Sequence, residues 1–474
     1  MLQFLFKNKQ KRSVEDQSNL ADMRRQVFSI TWPALIELVM STLFGMVDMI
    51  MVGQLSPAAI TAVGLTNQPF MLLLAVFAAV NVGTTTLVAW NIGAGNTEKA
   101  TSVIRHIIIV NITLGLIMSS FGIFFARNVV VFMGAEADTM KDAMMYFQIV
   151  SSGLLFQAVT MGITASLRGA GETKLPMLYN LGSNLLNVFG NYVLIYGKFG
   201  FPKWGVAGAA VSTTASRIIA CAIALYIIYL SNQSIISIRR KDRFRFEWSI
   251  IKRVFSIGLP AAVEQFVIQG GLTIFARTVS GLGTLGFAAH QIGLNICGLT
   301  FSPSMAFGVA ATTLVGQSLG ANDEEKAHKY ANIVHHMAII VSSLMGIVFL
   351  LFSYPLARLY TQNLAVAAMA GTVLKIMAIA QPGQSTQLSL AGALRGAGDT
   401  MYPLYASIFG IWIFRVIVAT IFVGLFHWGL IGAWVALVLD QYTRAFIVYF
   451  RFRSGKWKHM KSRSSAMKES QSCS

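Results

Sequence analysis

Charge is scarce in this chain, and negative charge scarcest: 12% of its 474 residues are charged, with 19 Asp and Glu against 37 Lys and Arg. A soluble domain of this length needs far more polar surface. With 55% hydrophobic residues and a mean hydropathy of +0.62 it would expose a vast apolar area, so solubility is excluded. Cysteine is nearly absent too. Cys221, Cys297 and Cys473 stand far apart with no CxxC spacing, which argues against a disulfide framework and a thiolate metal centre. HExxH, a GxGxxG after a strand and the Walker A sequence are all missing. Metalloprotease, dinucleotide-dependent and ATP-driven chemistry therefore lack support, and neither a cofactor nor a resident metal is expected. No signal peptide is visible either, because the first apolar run follows some 27 polar residues and carries no small-residue cleavage pattern.

What the chain has in abundance is long apolar runs. Twelve of them, starting near 28, 60, 101, 139, 176, 204, 253, 284, 328, 366, 403 and 428, reach the roughly 20 residues that cross a hydrocarbon core at about 1.5 Å per residue. The expectation is an all-α polytopic membrane protein. A net charge of +18 raises the question of nucleic acid, but its distribution answers it. Lys7, Lys9, Lys11, Arg12, Arg24 and Arg25 precede the first span. Arg239, Arg240, Lys241, Arg243, Arg245, Lys252 and Arg253 lie between spans six and seven. Arg451, Arg453, Lys456, Lys458, Lys461 and Arg463 follow the last. The alternate loops hold few bases, chiefly Arg127, Lys198, Lys203 and Arg358. This is the positive-inside bias, placing both termini in the cytoplasm of a cell-membrane protein, with the basic clusters against anionic lipid and no nucleic acid as partner.

The chain also repeats itself at an offset of 227 residues. Residues 85–100 and 312–327 are near copies, Pro33 and Glu37 fall on Pro260 and Glu264, and the Leu-Arg-Gly-Ala-Gly turn at 167–171 recurs at 394–398. After Pro176 and Pro403 the register slips by three, so that Trp204 matches Trp428. So long a period marks a duplicated half rather than a solenoid unit. The implied organisation is an N-terminal segment (1–27), a six-helix bundle (28–230), a basic linker (231–252), a second bundle (253–454) and a tail (455–474). Six crossings per half give both halves one orientation, the parallel repeat of secondary transporters with a central cavity between bundles. A monomer is expected.

Ionisable residues inside the apolar runs invite functional readings, since each costs several kcal/mol by insertion scales. Asp48 stands near the outer end of span one, and its repeat mate is Phe275, so shared architecture does not demand an acid there. A carboxylate so placed can hold a proton or Na⁺ in competition with a cationic substrate. Asn180, Asn184, Asn187 and Asn191 form one stripe along span five, facing polar partners or water, or serving as helix–helix glue. Asn187 and Asn191 come close to the depth of Asp48, and Thr213 on span six adds a hydroxyl. Glu37 shares the face of Asp48 at roughly 16 Å. Because Glu264 repeats it, shared packing competes with function, with the carboxylates accepting backbone N–H bonds near proline-bent helix ends. Arg415 and Asp440 fall at mid-depth on consecutive spans and are expected to form a buried structural ion pair. His106 and His290 read as satisfied core or interfacial histidines. Gln157, its mate Gln384, and Met40, Met46 and Met161 are candidates for an adaptable cavity lining. The Gly-Ala-Gly-Asp at 396–399 matches the GxGD of intramembrane aspartyl proteases only formally: it is a short turn whose mate ends in Glu172, with no Tyr-Asp partner.

The Val-Asp-x-x-x-Val-Gly pattern after Pro33, the doubled Leu-Arg-Gly-Ala-Gly-[Glu/Asp]-Thr turn, Trp204-Gly-Val-x-Gly-Ala-Ala, and the ending from Asp440-Gln-Tyr-Thr-Arg to Trp457 together resemble the MATE family, the multidrug and toxic compound extrusion transporters. The resemblance implies an antiporter that expels lipophilic, often cationic organic compounds against an inward H⁺ or Na⁺ gradient. In the family a first-lobe site joins the span-one aspartate to polar residues of spans five and six, and the matching positions are Asp48, Asn187, Asn191 and Thr213. Family members often carry an aspartate where this chain has Asn191, which implies weaker Na⁺ binding here. The helix-seven acid of NorM-like members falls on Ile268, and their helix-ten acid is missing from 378–387. The pattern is closest to the DinF-like branch and favours proton coupling, with Na⁺ at Asp48 the lesser alternative. A lipid-linked saccharide flippase of the same superfamily is a second reading, and a membrane-embedded enzyme a third.

Overall fold

The computed structural model describes residues 2–231, 234–238 and 245–460, without the side chains of 2–19 and 57. The side chains of Lys7, Lys9, Lys11 and Arg12 therefore lie outside the description, as do Arg239, Arg240, Lys241, Arg243, Lys461, Arg463 and Cys473. The first half comprises α1 (Leu2–Gly53), α2 (Pro57–Gly93), α3 (Thr97–Phe124), a short α4 (Ala126–Phe132), α5 (Met140–Ser152), α6 (Leu154–Gly169), α7 (Lys174–Tyr196) and α8 (Val206–Tyr229). The second comprises α9 (Trp248–Ser280), α10 (Gly283–Gly320), α11 (Glu324–Arg358), α12 (Leu364–Gly396), α13 (Met401–Ser407), α14 (Ala419–Gly424) and α15 (Gly429–Arg453). A π-helical stretch, Ile408–Val418, joins α13 to α14 into one crossing.

Among the described residues ten helices are long and apolar enough to span a membrane, and the pair α5–α6, bent by 45°, makes an eleventh. The 23-residue α7 is the twelfth; its four asparagines make it less apolar than the rest. The protein is thus an all-α membrane protein of twelve crossings in two six-helix halves.

The repeated motifs are helix boundaries. Asn96 caps α3 by accepting from the Lys99 N–H at 3.0 Å, and its mate Asp323 caps α11 by accepting from the Lys326 N–H at 2.9 Å. The residue before each cap sits in the left-handed region, Gly95 at φ 71° and Asn322 at φ 59°, the two residue types that tolerate it. The three-residue slip falls outside the helices. α7 and the α13–α14 crossing start in register and end within one residue of it, whereas the following loop runs from 197 to 205 in one half and from 425 to 428 in the other.

α9 begins at Trp248, inside the stretch assigned to the linker. His106 ties the preceding chain down: its Nδ1 donates to Ser102 O at 2.7 Å and its Nε2 accepts from the Glu247 N–H at 2.7 Å. α1 belongs to both halves. Its upper part runs beside α7, while Met23, Val27 and Ile30 are buried in the second half's core with Phe307, Leu314 and Trp457. The N-terminal segment is therefore packed beyond the first bundle rather than appended to it.

Arg415 and Asp440 do meet, at 2.6 Å, and Arg444, one helical turn along α15, completes a buried triad at 2.8 Å. Two guanidiniums share one carboxylate. Replacing Asp440 by Asn leaves two buried cations facing each other, and a loss of about 3–5 kcal/mol is expected. Thermal unfolding of the detergent-purified variant checks this; an unchanged melting temperature would show that the triad is not structural.

Candidate functional site

The two halves are joined on the side that carries both termini. A helix's last carbonyls lack intrahelical donors, and here the ends of α6 and α12 receive donors from the opposite half. The Thr86 hydroxyl donates to Arg395 O at 2.8 Å, and its mate Thr313 to Arg168 O at 2.8 Å. The Trp90 indole N–H donates to Gly396 O at 2.8 Å, and its mate Gln317 donates through Nε2 to Gly169 O at 3.0 Å. The neighbouring threonines turn inward instead: Thr85 donates to Ala165 O at 3.0 Å and Thr312 to Gly392 O at 2.9 Å, each within its own half. Each Thr-Thr pair thus binds its own bundle with one hydroxyl and the other bundle with the next. Only glycine permits this approach, since a Cβ on Gly93 would lie 1.8 Å from Gln317 O and one on Gly320 2.3 Å from Trp90 O. Arg253 stacks over Trp90 at 5.1 Å and adds to the clasp.

Above this clasp lies a cavity of about 1380 Å³ lined by both halves. Its walls include Glu37 and Glu264, each paired with an arginine at the end of its own half's α6 or α12: Arg168 to Glu37 at 2.8 Å, and Arg395 to Glu264 at 2.7 Å. Asn180 donates to the other Glu37 oxygen at 2.6 Å and Ser407, at the same repeat offset, to the other Glu264 oxygen at 3.0 Å. The carboxylates therefore accept from side chains, not from the backbone N–H groups anticipated at the proline bends. Both helices continue through Pro33 and Pro260, so their backbone donors are occupied.

Asp48 lies in the wall of the first half. Asn191 donates to its Oδ1 at 2.7 Å. With the Asn187 amide turned so that its nitrogen faces the acid, that nitrogen lies 2.9 Å from both carboxylate oxygens, and its oxygen accepts from Thr213 N at 3.1 Å and Thr213 Oγ1 at 3.2 Å. The structure thus brings Asp48, Asn187, Asn191 and Thr213 into one cluster on α1, α7 and α8. Nothing in the sequence reading pointed to Arg217 or Tyr146, which also line the cavity and interact electrostatically with Asp48. A lone arginine in the apolar run of span six was the available signal.

Gln157, Asn184, Met46 and Met161 line the cavity; Met40 and Gln384 do not. Met40 shares its α1 stripe with Leu43 and Val47, both exposed on the opposite, lipid-directed face. Gln384 is buried because α12 packs among α10, α11 and α15 at the centre of its half. In the second half Phe275, standing where Asp48 stands in the first, packs edge-on against His290, which also meets Trp434 edge-on at 5.5 Å. The His290 Nδ1 has no hydrogen-bond partner, so this nitrogen is not satisfied as expected of a core histidine, and the ring packs among Phe275, Phe287 and Trp434.

Two pseudo-symmetric six-helix bundles, clasped at one end around a shared cavity, define a secondary transporter rather than an enzyme. The MatE family model matches twice, over residues 33–193 and 260–421. The chain belongs to that family, the MATE transporters, and each half is one copy of its repeat. It is 32% identical to the Probable multidrug resistance protein NorM of Thermotoga maritima, over 92% of this chain and 94% of that one. It is 28% identical to the Uncharacterized transporter YisQ of Bacillus subtilis, over 92% and 96%. A solved outward-facing multidrug resistance MATE family transporter of the MOP superfamily superposes with a TM-score of 0.86 at 23% identity, covering 94% of this chain and 97% of that one.

If the clasp holds the halves together, Thr86→Val with Thr313→Val removes two bonds of about 0.5–1.5 kcal/mol each and the halves should part at that end. Double electron–electron resonance between spin labels at the exposed mates Lys99 and Lys326 reads this as a shift to longer distances; an unaltered distribution would refute it.

Proposed function

We propose that the protein is a multidrug efflux antiporter of the cell membrane that exports lipophilic, cationic organic compounds in exchange for H⁺, acting as a monomer with Asp48 as the coupling carboxylate. The observation that carries this reading is the Asp48 cluster: a cavity-facing acid held by two amides in one half, and an aromatic residue at the equivalent place in the other. Asn191 turns an N–H donor toward the carboxylate, and Asn187 does so in the amide orientation that satisfies both its own ends. That arrangement stabilises an anion and leaves the amide oxygens pointing elsewhere, which supports a proton over Na⁺, whose site needs converging oxygens. The basic flanks support a cytoplasmic place for the clasped end, and with it the reading of this conformation as outward-facing.

In this mechanism Asp48 receives a proton from the outer cleft and loses its hold on the Asn187 and Asn191 amides, together with its attraction for a bound cation. The upper part of α1 is then free to move against α7 while Met23, Val27 and Ile30 keep its lower part in the second half. Release to the cytoplasmic side restores the anion and the cycle. A saccharide–pyrophosphate flippase would want a strongly cationic cavity. The wall instead balances Glu37, Asp48 and Glu264 against Arg168, Arg217 and Arg395, which disfavours that reading.

In proteoliposomes an imposed ΔpH should drive dye efflux and an imposed Na⁺ gradient should not. Asp48→Asn is expected to abolish the ΔpH-driven flux while the protein still elutes as a folded monomer. Normal flux in that variant would remove Asp48 from the coupling role.

A further inference from the structure

Four of the six charged groups on the cavity wall neutralise one another. Glu37 with Arg168 and Glu264 with Arg395 are closed ion pairs at the floor. The remaining two, Asp48 and Arg217, are too far apart for an ion pair but near enough to interact electrostatically. Asp48 is held only by neutral amides. Arg217, one helical turn beyond Thr213 on α8, makes no ion pair among the described residues. Its Nη1 donates to Val150 O at 3.4 Å and its guanidinium lies 4.9 Å over the Phe70 ring. A guanidinium carries five N–H donors and is costly within a membrane without an anion, so most of its bonding capacity is unused here. Its planar fork matches a carboxylate.

A bound molecule that carries only a cation gains from Asp48 and is opposed by Arg217. One that carries only an anion meets the reverse. A molecule with both satisfies both, its aromatic or aliphatic body resting among Phe70, Tyr146, Met46 and Met161, which line the same cavity. We propose that the first-half wall is a two-pole site for amphipathic zwitterions, with Asp48 receiving the ammonium and Arg217 the carboxylate. The proposal rests on the efflux reading and narrows its substrate class. It also assigns Arg217 a role in specificity that no acid-centred view of the cavity includes.

Three ligands built on one fluorescent aromatic core test it: the amino acid form, its methyl ester, which keeps only the cation, and its N-acetyl form, which keeps only the anion. Binding is measured by fluorescence titration of the full-length protein in lipid nanodiscs at pH 8. The wild type should bind the zwitterion about tenfold more tightly than the ester, the gain of one charge-assisted bidentate contact. Arg217→Gln should erase that preference by weakening the zwitterion while leaving the ester unchanged or tighter, and Arg217→Lys should retain part of it. Equal or weaker wild-type affinity for the zwitterion would overturn the proposal without recourse to any variant. So would an equal loss for all three ligands in Arg217→Gln. Efflux of the ester from wild-type proteoliposomes judges the transport reading separately, because a transporter of simple cations would pass that test and fail this one.

Discussion

The contact on which the architecture depends is the reciprocal donation of side-chain N–H and O–H groups into the helix-terminal carbonyls of the opposite half. Carbonyls at the ends of α6 and α12 have spare acceptor capacity, and at the edge of a hydrocarbon layer that capacity has to be met within the protein. Thr86 and Trp90 meet it for α12, and Thr313 and Gln317 for α6. Because the bonds come in symmetric pairs, the halves close along one axis and the cavity above is set by how far they splay from it. The arginines whose carbonyls accept these bonds also hold Glu37 and Glu264 at the cavity floor. The floor and the seam are therefore one unit, and a ligand or proton that disturbs either carboxylate acts directly on a residue of the clasp.

Pseudo-symmetry makes the departures from it informative. The clasp, the helix caps and the floor ion pairs obey the repeat. The walls above do not. Where the first half places Asp48 among amides, the second packs Phe275 against His290 and Trp434. The second half has its own buried ions, but Asp440 is enclosed between Arg415 and Arg444. Such a triad fixes the packing of α15 against the π-helical stretch, and its burial keeps it from exchanging partners with a ligand.

The crossings, the repeat and the face shared by Asp48, Asn187, Asn191 and Thr213 were all legible in the sequence, for one reason. Apolar length and a 100° helical step are local properties, and duplication turns local similarity into global symmetry. What neighbours what was less legible. Gln157 and Gln384 are mates, yet only the first lines the cavity, because α12 sits at the centre of its half. Met40 lies one residue from the cavity-lining Ser41 and belongs to the lipid face. Glu37 and Glu264 were visible as a pair, but their partners Arg168 and Arg395 read as turn residues, more than 130 positions away. Arg444 was visible only as part of the motif that begins at Asp440, and Arg217, a lone base in an apolar run with no acid beside it in sequence, carries no local mark of what it faces.

α1 gives the asymmetry a mechanical consequence. Its lower end is packed in the second half's core with Trp457, and the side chain of Gln26 there hydrogen-bonds the Tyr330 hydroxyl; its upper end carries Asp48 in the first half. Thr173, at the start of the first half's α7 crossing, donates to Ile30 O at 3.0 Å just below Pro33. A single helix is thus anchored in one bundle, pinned to the other near a residue that cannot donate a backbone hydrogen bond, and carries Asp48 beyond that point. A movement of the upper part relative to α7 has its natural hinge at Pro33 and leaves the anchored end in place. Between Asp48 and Pro33 the same helix carries Glu37, whose partner Arg168 offers its carbonyl to the Thr313 hydroxyl of the clasp. The second half carries Phe275 at the place of Asp48, packed against His290.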